Sequence, residues 1–377
     1  MSAPDSAGSW LEIDLGAVKE NVARIRGHIG QRCQVGAVVK ADGYGHGAVP
    51  VGRAALEGGA GWLVVLCASE GETLRQAGIK APIFVLGAGL PSQAEQAVSN
   101  DLVHAVCTSE MAQALSDAAV RMGKSACVHI KVETGLGRLG VEPEEAMEFS
   151  RKISGLPGIR VEGTFSHLSA SDSDPVYSAH QFSAFQKVCS QFEASGVRGL
   201  VRHIANSGAT LKYPEMHLDL VRPGLLIYGL PPSAEPAIGL RPALTWKARI
   251  YFAKRIPAGR RVSYAGTYVT RRTTNIAVAL AGYADGYARA LSNRGFALVR
   301  GRRFPVVGRI CMDQLLLDLG DEPVAVGEEV VLIGRQGTEE IRANEVAVWR
   351  GTSVYEVVTS VNKRLPRVYS GEEALDV

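Results

Sequence analysis

Long apolar runs are missing from this 377-residue chain, and none approaches the roughly 18 residues of a membrane span. The opening residues, MSAPDSAG, carry no basic cluster and lead into no apolar run. No secretory signal is therefore expected, and the cytoplasm is the expected location. Paired cysteines are missing too. Cys33, Cys67, Cys107, Cys127, Cys189 and Cys311 stand far apart with no CxxC pair, which argues against a disulfide framework or a metal site and leaves free thiols. The formal net charge is only +3, and the doublets Arg260-Arg261, Arg271-Arg272 and Arg302-Arg303 read as solvated surface. No basic stretch alternates with aromatics, so neither nucleic acid nor membrane is an expected partner. No GxGxxG follows the early apolar runs, which counts against a dinucleotide-binding Rossmann fold.

What is present is a repeated plan. With 46% hydrophobic residues the chain can bury a large core and build two domains. Short apolar runs fall at 35–40, 62–67, 82–87, 102–107, 126–132, 160–167, 199–204 and 219–229, with helix-compatible segments between them. Leu15, Val18, Val22, Ile25 and Ile29 form one helical stripe. Phe182, Phe185, Val188, Cys189 and Phe192 form another. Eight strand–helix units predict an N-terminal (β/α)8 barrel of the TIM type, although an open doubly wound sheet shares the local signature.

The pattern changes after Gly229. The stretch LPPSAEPAIGLRP reads as a boundary. Extended runs at 244–252, 275–279, 304–307, 314–319 and 328–333 then predict a mainly antiparallel C-terminal β domain. A helical excursion is expected over 340–356, with strand again over 357–361 and 364–369. A short strand at 10–14 is placed to pair with this second domain. The expected division is a flexible tail at 1–9, a barrel over 10–235 and the β domain over 236–377.

The chemistry-bearing residues cluster at the ends of the apolar runs. Lys40 ends the first of them and enters the turn Ala41-Asp42-Gly43-Tyr44-Gly45-His46-Gly47. A lysine there either neutralises a carboxylate or forms a Schiff base with an aldehyde. The glycine-rich turn adds backbone N–H groups and the Tyr44 phenol for a phosphate. Together these point to pyridoxal 5′-phosphate (PLP). Lys131 and Arg138 lie in KVETGLGRLG, where Arg138 has directed donors for an anion. His167 closes the sixth run and is either a structural histidine or a site residue. Ser207 in HIANSGA, and Arg222 and Gly224 in RPGLLIYG, belong to the last two strand regions, where such barrels bind phosphate. Tyr264, Tyr283 and Tyr287 sit among small residues in the second domain, and a phenol serves as acid or base only if its pKa is lowered.

The motifs VVKADGYGHG, ETGLGRLG, SHLSASD, ANSGA, RPGLLIYG, SYAGTY, GYADGY and GRICMDQ, in this order, make the chain resemble the bacterial alanine racemases over about residues 10 to 370. Glu133 and Leu136 depart mildly from the family loop DTGMGRLG. The resemblance implies interconversion of L- and D-alanine by two bases, with D-alanine destined for peptidoglycan. Lys40 would hold PLP covalently and serve as one base, and Tyr264 would be the other, supplied by the second subunit of a homodimer. Tyr44, Ser207, Gly224, Leu225 and Tyr355 would surround the phosphate. Arg222, supported by His167, would meet the pyridine nitrogen. Arg138 would meet the ring oxygen and help to place Tyr264. The Met312 backbone would receive the substrate carboxylate with Asp313 beside it, and Tyr283 and Tyr355 would narrow the entrance. Lys131 matches a lysine that is carbamylated in many members. A racemase of broader specificity, a PLP-dependent decarboxylase of basic amino acids and a non-catalytic PLP-binding barrel are the alternatives.

Overall fold

The computed structural model describes residues 7–232 and 238–371. Most of the expected tail, part of the expected boundary stretch and the last six residues lie outside the described residues. The described chain forms two compact units. One comprises Val18–Gly43 and Ala48–Arg241; the other takes the residues up to Ala17, Tyr44–Gly47 and the chain from Pro242 onward.

The first unit is an eight-stranded parallel ring. Its strands are Gln34–Val38, Trp62–Val65, Ile83–Val85, Val103–Val106, Ala126–Lys131, Ile159–Phe165, Val201–His203 and Leu220–Val221. Each pairs with the next in sequence as far as Val201–His203, and Gln34 pairs with Leu220 across the join. The ring closes through Asp219 N donating to Arg202 O at 3.1 Å and Arg222 N donating to Ala205 O at 2.9 Å. Parallel strands are covered on both faces, which is why they read as apolar runs rather than alternating ones. Leu63, Val64 and Val65 are all fully buried. The last strand is shorter than expected. After Leu220–Val221 the chain turns at Pro223-Gly224 into a 3-10 helix, Leu225–Tyr228.

The outer helices carry their own start signals. Asp174 caps Pro175–Ala194 by accepting from Tyr177 N at 2.9 Å, with proline at the first helical position. Its buried face holds Phe182, Phe185, Val188, Cys189 and Phe192. Thr108 caps Ser109–Met122 in the same way.

The second unit is built on a nine-stranded sheet. Leu244–Ile256 is its spine, and it pairs antiparallel with Ser9–Asp14, Thr274–Ala279 and Glu329–Gln336. Leu244, Trp246, Ala248 and Ile250 alternate inward along it, as expected of a half-buried strand. Ser9–Asp14 also pairs parallel with Arg367–Ser370. Leu315–Gly320 pairs with Thr274–Ala279. Phe296–Val299 joins Arg302–Pro305 to Glu329–Gln336. The expected strand at 357–361 is instead the end of the helix Val354–Thr359 and the turn after it. A two-stranded hairpin, Arg261–Val262 with Tyr268–Val269, stands apart from the large sheet. No helix among the described residues is long and apolar enough to cross a membrane.

Candidate active site

In the barrel unit, Lys40 lies just beyond the end of Gln34–Val38, at the carboxyl side of the strands. The chain there takes left-handed backbone angles at Ala41, Asp42 and Gly43 in succession. Only glycine adopts such angles without steric cost, so the surroundings must hold this turn. Glu70 does part of that. Its carboxylate accepts from Ala41 N and from Leu66 N, each at 2.7 Å. Asp42 accepts from Ala48 N at 3.0 Å, and Gly43 N donates to Val39 O at 2.8 Å. Burial, helped by the Arg138 charge and opposed by Glu70, holds the Lys40 amine below its ordinary pKa.

Arg222 follows the last barrel strand and is 3% exposed. Its Nη1 donates to His203 Nδ1 at 2.7 Å. Its Nη2 donates to Ser166 O at 2.7 Å and lies 3.3 Å from both His167 Nδ1 and Ile204 O. Its Nε is buried without a partner among the described residues. No carboxylate pairs with this guanidinium among the described residues, and burial lowers its pKa to about 9. It therefore stays charged at neutral pH. Behind it, His203 Nε2 and His129 Nδ1 are 2.8 Å apart. Gly163 makes room for His129, because a methyl group there would lie 2.7 Å from the imidazole ring.

His167 faces a concentration of positive charge. Burial first, and then Arg222, Arg138, Lys131 and Lys40 in turn, push its imidazole well below the usual range. It is neutral. Lys131 is 1% exposed, donates to Val132 O at 2.5 Å, and has its pKa lowered to about 8 mainly by burial. Ser166 Oγ lies 3.5 Å from its amine. Glu133 organises the loop that carries Arg138 by accepting from Gly135 N at 2.5 Å, Leu136 N at 2.6 Å and Arg138 N at 3.3 Å. The mild departure to glutamate thus still satisfies the loop amides. Ser207 Oγ accepts from Gly224 N at 2.9 Å, which joins the last two strand regions, and Leu225 follows Gly224 in the 3-10 turn.

In the second unit, Tyr44 and Tyr355 come together, with ring centroids 5.8 Å apart at 59°. Burial, with a smaller contribution from Tyr355, raises the Tyr44 phenol. Tyr283 and Met312 are neighbours through the backbone: Tyr283 N donates to Cys311 O at 3.1 Å and Ala284 N to Met312 O at 2.9 Å. Gly282 permits this approach, since a Cβ there would lie 2.1 Å from Met312 O. Arg364 ties the pair to Asp313 by donating to Asp285 and to Asp313, each at 2.7 Å. Tyr264 lies at the tip of the small hairpin and is 68% exposed, with no hydrogen-bond partner for its hydroxyl among the described residues.

Glu70, the His203–His129 pair, Asp285 and Arg364 were not singled out from sequence. His203 opens the HIANSGA motif, which was the available signal for it. Asp285 lies in the GYADGY motif, while Glu70 and Arg364 take partners distant in the chain, Ala41 and Asp313 among them.

A family model for the alanine racemase N-terminal domain matches residues 13–232, and one for the alanine racemase C-terminal domain matches residues 243–369. The alanine racemase of Symbiobacterium thermophilum is 47% identical over 371 residues, covering 97% of this chain and 98% of that protein. That of Desulfosudis oleivorans is also 47% identical, covering 96% of each. Among solved structures, alanine racemase from a D-cycloserine-producing Streptomyces lavendulae matches with a TM-score of 0.93 at 39% identity, covering 98% of both chains. The Bacillus anthracis alanine racemase with bound L-Ala-P matches with a TM-score of 0.92 at 37% identity, covering 98% of this chain and 96% of that one. Sequence and fold agree along nearly the whole length, and the chain belongs to the alanine racemase family.

Proposed function

We propose that this member of a PLP-dependent family interconverts L- and D-alanine, with Lys40 and Tyr264 as bases acting on opposite faces of Cα. The observation that carries the reading is the Arg222 guanidinium of the barrel unit, buried 3.3 Å from His167 Nδ1 with an unpartnered Nε and no carboxylate among the described residues. Lys40, Lys131 and Arg138 add positive charge within the same unit.

That donor set fits PLP. A buried guanidinium without an anion calls for an acceptor, and a pyridine nitrogen is one. Excess positive charge suits a phosphate and a phenolate. An amine of lowered pKa has more of the neutral form that attacks an aldehyde. In this reading Lys40 would hold the cofactor through its aldehyde, and Arg222, with His167, would serve its ring nitrogen. Arg138 would serve its ring oxygen. Ser207, Gly224, Leu225, Tyr44 and Tyr355 would serve its phosphate. Lys131, with its pKa near 8, has the neutral amine fraction that carbamylation requires.

When bound, the cofactor supplies a conjugated acceptor for the electron pair left at Cα. The chain does the rest. Tyr264 Oη takes the proton from L-alanine and Lys40 Nζ returns one to the other face; the roles exchange for D-alanine. Two bases make inversion direct. Arg222 does not readily yield its proton, so it would donate a hydrogen bond to a ring nitrogen without protonating it. That restrains side reactions at some cost in acidity at Cα. The Met312 backbone, with Asp313 held by Arg364, would receive the substrate carboxylate, and Tyr283 with Tyr355 would limit the size of the side chain admitted.

The division into a cofactor-binding barrel at 10–235 and a β domain at 236–377 is part of this proposal. So is a homodimer in which each chain lends its Tyr264 to the other. The exposure of that phenol and of Met312, 68% and 54%, supports completion by a second copy. Supply of D-alanine for peptidoglycan from the cytoplasm belongs to the same reading.

The test is a time course of optical rotation with purified protein, PLP and L-alanine. Decay to zero with total alanine unchanged is expected. Persistent rotation in a PLP-loaded sample would overturn the substrate assignment, and loss of alanine would indicate decarboxylation.

A further inference from the structure

Tyr264 is held by little packing of its own, because most of its surface faces solvent. The hairpin beneath it has only the pairs Arg261–Val269 and Val262–Tyr268. Two-residue strands give weak intrinsic order. Yet the backbone on each side of Tyr264 is unfavourable. Ser263 has φ 62° and Ala265 has φ 59°, and neither is glycine. Side chains rarely adopt such angles unless neighbouring structure enforces them.

The enforcing contacts lie at the base of the hairpin. Val262 packs with Ile276 and Val307, and Tyr268 packs against the same cluster. Tyr268 Oη donates to one carboxylate oxygen of Asp318. The other oxygen accepts from Thr274 Oγ1 and, at 3.0 Å, from Gly320 N. Asp318 thus ties the hairpin to Thr274–Ala279 and to its own strand, Leu315–Gly320. On the opposite side, Ser263 Oγ donates to Arg309 O at 2.5 Å, while Gly308 leaves room for the Ser263 side chain.

We propose that Asp318 is a positioning residue, which through Tyr268 holds the strained turn that presents Tyr264. The proposal rests on the reading of Tyr264 as a base. Asp318 and Tyr268 need not touch the substrate. Their contribution is to keep one phenol at the distance and angle that proton transfer requires, where a displacement of about 1 Å costs a large factor in rate.

The test is a kinetic cycle on PLP-saturated enzyme, comparing the parent, Tyr268→Phe, Tyr264→Phe and the double variant with L-alanine. Tyr268→Phe is expected to lower kcat by about ten-fold or more while KM stays within about two-fold. In the Tyr264→Phe background the same change is expected to cost nothing further in kcat. A merely structural role would slow both backgrounds alike, and that result, or an unchanged kcat in Tyr268→Phe alone, would overturn the proposal. A parental rate for Tyr264→Phe would instead remove the reading on which it rests. Asp318→Asn runs through the same cycle as an independent entry and is expected to give the same pattern should Tyr268→Phe fail to fold.

Discussion

Arg222 donates a hydrogen bond to His203 Nδ1 across 2.7 Å, and this bond sets the tautomers of two buried histidines. Arginine has no lone pair to offer, so His203 Nδ1 is the acceptor and its proton sits on Nε2. That proton goes to His129 Nδ1, 2.8 Å away. His129 is then left with a proton on Nε2, which is buried without a partner among the described residues. The chain of bonds starts at the cation and has one direction throughout.

Replacing the fork with a point charge should break this order. Arg222→Lys cannot reach His203, Ser166 and Ile204 together. Equilibrium dialysis of PLP is expected to show affinity lowered about ten-fold or more, the value of one or two charged hydrogen bonds. Parental affinity would sink the assignment.

Lys40→Ala removes the amine that is read as binding the cofactor's aldehyde. The visible absorbance of covalently held PLP is expected to vanish, together with turnover. A variant that keeps its visible band and its rate would move the site elsewhere in the chain.

His104 offers a pH test away from the proposed chemistry. It is buried, its Nδ1 bonds to Ala105 O, and burial pushes its pKa down to about 4. The unfolded chain takes up that proton near the ordinary value of about 6.5. Between those limits the unfolded state holds more protons. Stability is therefore complete above about 6.5 and declines as pH falls towards 4, by up to about 1.4 kcal/mol per unit for this group. His129, with its pKa lowered by burial to about 3, acts in the same direction. Urea midpoints measured from pH 7 to pH 4 should fall less steeply for His104→Leu than for the parent. Parallel curves would show that His104 does not titrate as described.

Gly163 tests the packing behind Arg222. A methyl group at this position meets the His129 ring at 2.7 Å, and the ring has aromatic neighbours in Phe84 and Trp62. Gly163→Ala is expected to cost about 1–3 kcal/mol, the usual range for overpacking. Urea denaturation at neutral pH would measure it, and an unchanged midpoint would mean that the ring can move aside.

The barrel was readable because its strands are covered on both faces, so 62–67 and 102–107 stood out as apolar runs. Lys40 was readable because a charge interrupts such a run at its end. The hairpin around Tyr264 was not foreseen as strand: two residues cannot show a period of two. Phe296–Val299 was not foreseen either. The segment at 357–361 misled because a buried helical end, with Val357 and Val358 inside, looks like a short strand. Glu70 and Arg364 escaped for another reason. Their roles exist only once Ala41, or Asp285 and Asp313, have been brought to them by the fold.

The join between Val201–His203 and Leu220–Val221 is where the ring of strands is laced most sparsely. Side chains reinforce it at both ends. Arg202 grips Asp219 on one side, at 2.8 Å, and Arg222 grips His203 on the other. The guanidinium read here as the partner of a ring nitrogen is also a clasp on the cylinder. Any breathing of the wall at that seam, the kind of opening that amide hydrogen exchange detects, would carry Arg222 away from its acceptors. Opening of the wall would then disturb the electrostatics of the proposed cofactor site.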